Sequence, residues 1–239
     1  LRYLGGSTAK KINSLHAIMN KGYCTLVAIF VCVAVPLVAA YDANPLQDFC
    51  VADYSSGVRV NGKVCMDPNN VTADHFFSSL LETPQDTSNI DGSKALLITV
   101  DLLPGLNTLG ISFARIDFAV GGLNPLHHHP RASEVLYVLE GTVLAGFITS
   151  NRRPEKNKVY TKILTKGQIF AFPIGLVHFQ LNIGKTPATC LAALGSQSPG
   201  RFDLPVGVFG SMPPIGDDVL TKAYHVNPNI INLLRKPYQ

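Results

Sequence analysis

Five side chains able to ligate a metal ion are carried by two short stretches of the sequence. The first, GGLNPLHHHPRASEVLYVLEG over residues 121–141, holds His127, His128, His129 and Glu134, and the second, GQIFAFPIGLVHFQLN over 167–182, holds His178. Alternate side chains of an extended strand share a face, so His127 and His129 can point inward together while His128 points away. A turn from Pro130 to Ser133 then lets the chain come back and present Glu134 beside them, and Gly167, Pro173 and Gly175 shape a turn just before the strand that bears His178. Three imidazoles and one carboxylate suit a borderline divalent transition metal. On an octahedral ion they leave two positions open, which is what a catalytic metal needs. The plainer alternatives are a solvated His tripeptide and a satisfied core His178 between Val177 and Phe179. Both would have to hold together, along with Glu134 and the turn residues, to displace the metal reading.

Such a cluster needs a rigid frame, and the rest of the chain reads as one. It has 239 residues, 46% hydrophobic and 15% charged, enough apolar content to bury a substantial core and to exclude disorder as the dominant state. The segments ALLITVDLL, NTLGISFARIDF, EVLYVLEGTVLAGFITS, KVYTKILTK, QIFAFP, VHFQLNI and ATCLAAL are rich in Val, Ile, Phe, Leu and Thr and are separated by Gly, Pro and Asn turns. That pattern predicts an all-β antiparallel barrel or double-sheet jelly roll. Residues 72–81, TADHFFSSLL, have the spacing of a short helix. Near the C-terminus one helix is expected to be capped by Asp217 or Asp218, and another by Asn227 with Pro228 at its first position. The second exposes Ile230, Ile231, Leu233 and Leu234 close together, which predicts a partner subunit as their cover. The charged loop 151–158, NRRPEKNK, reads as a solvated hairpin tip.

The formal charge of +4 comes from the N-terminus: Arg2, Lys10, Lys11 and Lys21 stand in the first 40 residues, where there is no acid, and cations and acids balance from Tyr41 onward. The folded part has no basic excess with which to neutralise phosphates, so no nucleic-acid partner is expected. Residues 24–40, CTLVAIFVCVAVPLVAA, form an apolar run closing on small residues, which predicts a signal peptide over 19–40 cleaved after Ala40. Pro36, a length short of the ~20 residues that span a bilayer and the lack of a basic stop-transfer flank argue against a membrane anchor. Residues 1–18, ahead of Met19, are expected to be an upstream extension that is not native protein. Cys50 and Cys65 enclose a loop with little apolar content of its own, as a disulfide in an oxidising compartment would, stabilising by about 3 kcal/mol on a chain-entropy estimate; two free thiols are the alternative. Cys190, in ATCLAAL, reads as a buried strand residue. Asn70-Val71-Thr72 is a glycosylation sequon, and Thr72 can also cap the helix that follows. The expected organisation is a disulfide-held segment over 41–70 followed by one domain over 71–239.

Taken as patterns, the two metal-ligand stretches resemble germins and germin-like proteins of the cupin superfamily. Gly121, His127, His129, Glu134 and Gly141 match G-x(5)-H-x-H-x(4)-E-x(6)-G, and Gly167, Pro173, Gly175, His178 and Asn182 match G-x(5)-P-x-G-x(2)-H-x(3)-N. PLQDFCVAD, PGLNTLG, SQSPG, FGSMPPI and VLTKA are similar to family text as well. The resemblance implies a cupin jelly-roll β-barrel holding Mn(II) through His127, His129, Glu134 and His178. It also implies a Cys50–Cys65 disulfide, a secreted protein of the plant apoplast, and a hexamer built as a trimer of dimers through its C-terminal helices. Leu126 departs from a usual Pro, and His128 from a usual Thr or Ile. Three functions are then open, with superoxide dismutation expected first: that activity, oxalate oxidation, or a non-catalytic wall or receptor-like glycoprotein with a part in defence. Oxalate oxidation would use amides at Asn107 and Asn124 to orient a small anionic substrate, although Asn107 also reads as a turn residue and Asn124 as a loop residue before Pro125.

Overall fold

In several strands burial follows the period of two, and in two of them the alternation is complete. His178–Asn182 and Ala188–Leu194 bury every second side chain, as a half-covered pleated surface requires. A computed structural model describes residues 47–151, 154 and 156–238 of the chain. The expected signal peptide and upstream extension lie outside the described residues, as do Arg152, Arg153 and Glu155 of the hairpin tip. The chain divides after Asp48, and every described strand and helix belongs to the unit that begins at Phe49.

Among the described residues, ten antiparallel strands build two five-stranded sheets. In chain order they are β1 (Ser93–Ile98), β2 (Ser112–Phe118), β3 (Leu123–His128), β4 (Glu134–Glu140), β5 (Thr142–Ile148), β6 (Val159–Thr165), β7 (Ile169–Phe172), β8 (His178–Asn182), β9 (Ala188–Leu194) and β10 (Phe202–Asp203). One sheet runs β1-β2-β9-β4-β7 and the other β10-β3-β8-β5-β6. Inward-facing side chains of both sheets, among them Ile116, Phe118, Leu136, Val138, Val143 and Phe172, form one core cluster. The jelly roll expected from the sequence is therefore the fold. Cys190 sits within this core on β9, and burial pushes its thiol up to about 12.

Two local features set the geometry of the site. Gly141 alone joins β4 to β5 with φ +91°, and a Cβ there would meet the Ala188 Cβ at 2.4 Å, so glycine is required. The pairing of β3 with β8 shifts between Asn124 and His127: Asn124 lies opposite Gln180 and His127 opposite His178, three residues on one strand against two on the other. The extra residue of such a bulge resets the pleat. Asn124 and His127, an odd number apart, are consequently both buried.

The periphery differs from expectation in three places. The helix expected over 72–81 is one 3-10 turn, Ala73–Phe76, because Phe76 is held edge-on by Phe49 and Ser78 turns its hydroxyl to the backbone N–H of Leu80 instead of continuing the helix. An additional helix, α1 (Leu204–Phe209), follows β10 directly. In α2 (Asp217–Tyr224) the N-cap is Gly216, and Asp217 and Asp218 occupy the first turn, where their charge meets the positive end of the helix dipole. The last helix, α3 (Pro228–Arg235), starts as expected, with the Asn227 side chain accepting from the Ile230 N–H at 3.2 Å. Cys50 and Cys65 are disulfide-bonded, and Asn70 is exposed at the end of a short 3-10 turn.

Candidate metal centre

The bulged β3 supplies His127, and His129 comes just past its end, where its backbone carbonyl accepts from the Gly175 N–H at 3.1 Å. That bond ties the turn before β8 to the end of β3 and so brings His178 across. Glu134 is the first residue of β4. The outcome is a group of four buried side chains, His127, His129, Glu134 and His178, whose ligand atoms all lie within 4.8 Å of one another. The rings of His127 and His178 are 4.2 Å apart, and Phe172 stacks on the far face of the cluster against His178 at 4.4 Å.

Each imidazole is oriented from behind by a backbone carbonyl. His127 Nδ1 meets Pro125 O at 2.7 Å, His178 Nδ1 meets Leu176 O at 2.9 Å and His129 Nδ1 meets Gly200 O at 2.5 Å. A carbonyl only accepts, so each Nδ1 carries a hydrogen, which leaves each Nε2 as the nitrogen that can give a lone pair to a metal. Glu134 Oε2 lies 3.0 Å from His129 Nε2 and 3.4 Å from His178 Nε2. His178 Nε2 is buried without a hydrogen-bond partner. Three Nε2 atoms and a carboxylate gathered this closely hold a cation among them, a proton when no metal is bound and a metal ion in its place, so the donor set fits a divalent metal.

The charge states agree with that fit. Burial pushes the His127 imidazolium down to about 2, with the charges of Arg201 and His178 adding to the effect, so the ring is neutral. Burial would raise Glu134, but its contacts with His129 and His178 outweigh this and bring it down to about 2, so the carboxylate is ionised. A neutral imidazole at His127 and an ionised carboxylate at Glu134 are forms that ligate.

A cavity of about 270 Å³ gives access. His129 and Glu134 line it with Asn124, Ala114, Lys94 and Arg201. Of the two asparagines expected at a substrate pocket, only Asn124 is there. Asn107 is placed elsewhere, which corrects its expected role: its Nδ2 donates to Lys63 O at 2.9 Å and to Cys50 Sγ at 3.2 Å, and its Oδ1 accepts from Gln197 at 3.1 Å. The residue is fully buried, and its amide fastens the disulfide segment to the barrel. His128 faces away, half-buried beside Phe202 with ring centroids 5.4 Å apart. Gln180 and Arg201 stand outside the residues that the sequence singles out. Gln180, two residues from His178 on an alternating strand, is legible from the period; Arg201 stands beside a two-residue strand that has no period to read.

Comparison with known proteins agrees with this outline. Residues 79–232 match the Cupin family. Germin-like protein subfamily 1 member 7 of Arabidopsis thaliana is 50% identical over 87% of this chain and 90% of its own length. Germin-like protein 8-2 of Oryza sativa subsp. japonica is 55% identical over 83% and 90%. A recombinant oxalate oxidase solved in complex with glycolate superposes with a TM-score of 0.79 at 43% identity, covering 82% of this chain and 98% of that one. With two antiparallel sheets, three imidazoles and a carboxylate between them, and half its residues shared along nearly whole relatives, the chain belongs to the germin-like proteins of the cupin family.

Proposed function

We propose that this is a manganese-dependent superoxide dismutase of the plant apoplast, secreted and self-associating. The observation that supports it most is the convergence of three Nε2 lone pairs and one ionised carboxylate at a cavity whose wall also carries Lys94 and Arg201. His127, His129, Glu134 and His178 would hold the ion. Bound there, manganese would supply reversible one-electron chemistry, by which two superoxide anions and two protons become dioxygen and hydrogen peroxide. The protein's part is to keep His127 neutral through burial, to aim the three imidazoles through the carbonyls of Pro125, Leu176 and Gly200, and to draw a small anion inward past cationic side chains. Metal analysis of purified protein tests the reading together with a superoxide assay. About one manganese per chain and activity that disappears on chelation are expected; a protein that holds manganese without consuming superoxide would overturn the dismutase reading.

Oxalate oxidation, with dioxygen as oxidant, is the second reading. It is favoured by the 43% identity to an oxalate oxidase and by Asn124 in the cavity wall. Ala114 in that wall and the placement of Asn107 elsewhere leave one asparagine amide for a bound carboxylate. Oxalate-dependent peroxide release, assayed in parallel, separates the two.

A further inference from the structure

A polar chain that metal binding does not use leads from the cavity wall, where Arg201 and Asn124 stand, to Gln180 behind it. Arg201 Nη2 donates to Asn124 Oδ1 at 2.9 Å, and Asn124 Nδ2 donates to Gln180 Oε1 at 2.6 Å. A guanidinium has donors and no acceptor. Arg201 therefore fixes which way the Asn124 amide faces, and Asn124 in turn obliges Gln180 to present its oxygen. Gln180 Nε2 is left as a buried donor without a hydrogen-bond partner. Gln180 is wholly buried on the same face of β8 as His178, and Asp203 pairs with the guanidinium along its Nε and Nη2 edge, with Nε donating to Oδ1 at 2.8 Å and Nη2 donating to Asp203 as well as to Asn124. Arg201 is thus fixed in one pose, while its Nη1 bonds to none of the described residues.

We infer that Arg201 is the anion-selecting residue of this cavity: it lines the wall with Nη1 free for a small anion and holds the Asn124 amide beside it in one orientation, which Gln180 secures from behind the wall. The inference rests on the reading of the cavity as the reaction site. It differs from that reading in assigning selection to a residue outside the metal cluster, on the loop before β10. An arginine so placed favours an anion over a neutral molecule of the same shape. Both expected substrates, superoxide and a carboxylate, share this chemistry.

The test compares wild type, Arg201→Leu and Arg201→Lys as metal-loaded protein. Binding is measured by calorimetry with glycolate as the carboxylate probe, azide as a small linear anion, and glycolamide as the neutral counterpart of glycolate. Loss of a charge-assisted contact predicts about tenfold weaker anion binding for Arg201→Leu, an intermediate loss for Arg201→Lys, unchanged glycolamide binding and unchanged metal content. Weakening of glycolate alone assigns the carboxylate; weakening of azide alone assigns an anion of superoxide's size. Anion affinities within twofold of wild type, no measurable anion binding by wild type, or equal losses for glycolamide and glycolate would each overturn the inference. Metal content is read separately, so an empty wild-type protein counts against the metal reading and not against Arg201.

Discussion

A metal cluster built on three histidines depends as much on what stands behind each ring as on the rings. Here three backbone carbonyls fix the hydrogen on Nδ1, and no side chain among the described residues competes for that role. His178→Ala removes a ligand donated from a different strand than the other three, and should weaken metal retention by more than the ~10–100-fold that loss of an outer-shell partner costs. His128→Ala alters a ring on the opposite face of β3 and should leave metal content unchanged. Elemental analysis after dialysis checks both, and the reverse result would mean that the ligands have been misassigned. The metal-stripped protein should also be acid-labile. His127 has its imidazolium pushed down to about 2 in the fold against an ordinary value of 6.5, so the unfolded chain takes up a proton that the folded one refuses; stability is lost as pH falls through 6.5. Glu134, lowered to about 2 from 4.5, adds a loss of the same sign below 4.5. The denaturation midpoint should be lower at pH 4.5 than at pH 7.5; an equal or higher midpoint would contradict it.

At the scale of elements, the frame depends on how strands are joined and paired. Gly141→Ala would place a Cβ 2.4 Å from that of Ala188 at a backbone φ of +91°, which should lower stability by on the order of 1–3 kcal/mol. A thermal scan showing no loss would contradict the tight β4–β5 connection. The same scale shows what was legible in the sequence. The inward pair His127 and His129 follows from period-2 alternation, and the strands β4 to β9 follow from their Val, Ile, Phe, Leu and Thr content between turn residues; in β8 and β9 every second side chain is buried, as one covered face requires. The bulge in β3 does not follow: Pro125 and Leu126 read as an ordinary approach to His127, and only pairing with Gln180 and His178 shows the additional residue. Asn107 escapes a sequence reading for a related reason. Its neighbours in PGLNTLG describe a turn, but its partners Cys50, Lys63 and Gln197 are 57, 44 and 90 residues away in the chain, and such contacts leave no local pattern.

For the whole molecule, the C-terminal helix leaves apolar surface uncovered. Ile231 is wholly buried against its own subunit, whereas Ile230, Leu233 and Leu234 are 40%, 58% and 41% exposed. Those three lie at i, i+3 and i+4, one apolar stripe on the outer face of α3. Asp217 and Arg235 form an ion pair that ties α2 to α3, so the stripe belongs to a helix pair held in place and is available to a second copy of the chain. A single apolar helix face is too small for a stable interface by itself. The exposed β4 side chains Val135, Tyr137 and Leu139 offer a second apolar surface, and two separate surfaces are what a closed assembly larger than a dimer uses. Leu233→Asp combined with Ile230→Asp places two charges on the α3 stripe and leaves Ile231 and the metal cluster untouched. Sedimentation should show wild type as a species larger than a dimer and the double variant as a smaller one that still holds its metal. A wild-type protein that sediments as a monomer, or a double variant of unchanged size, would remove α3 from the assembly.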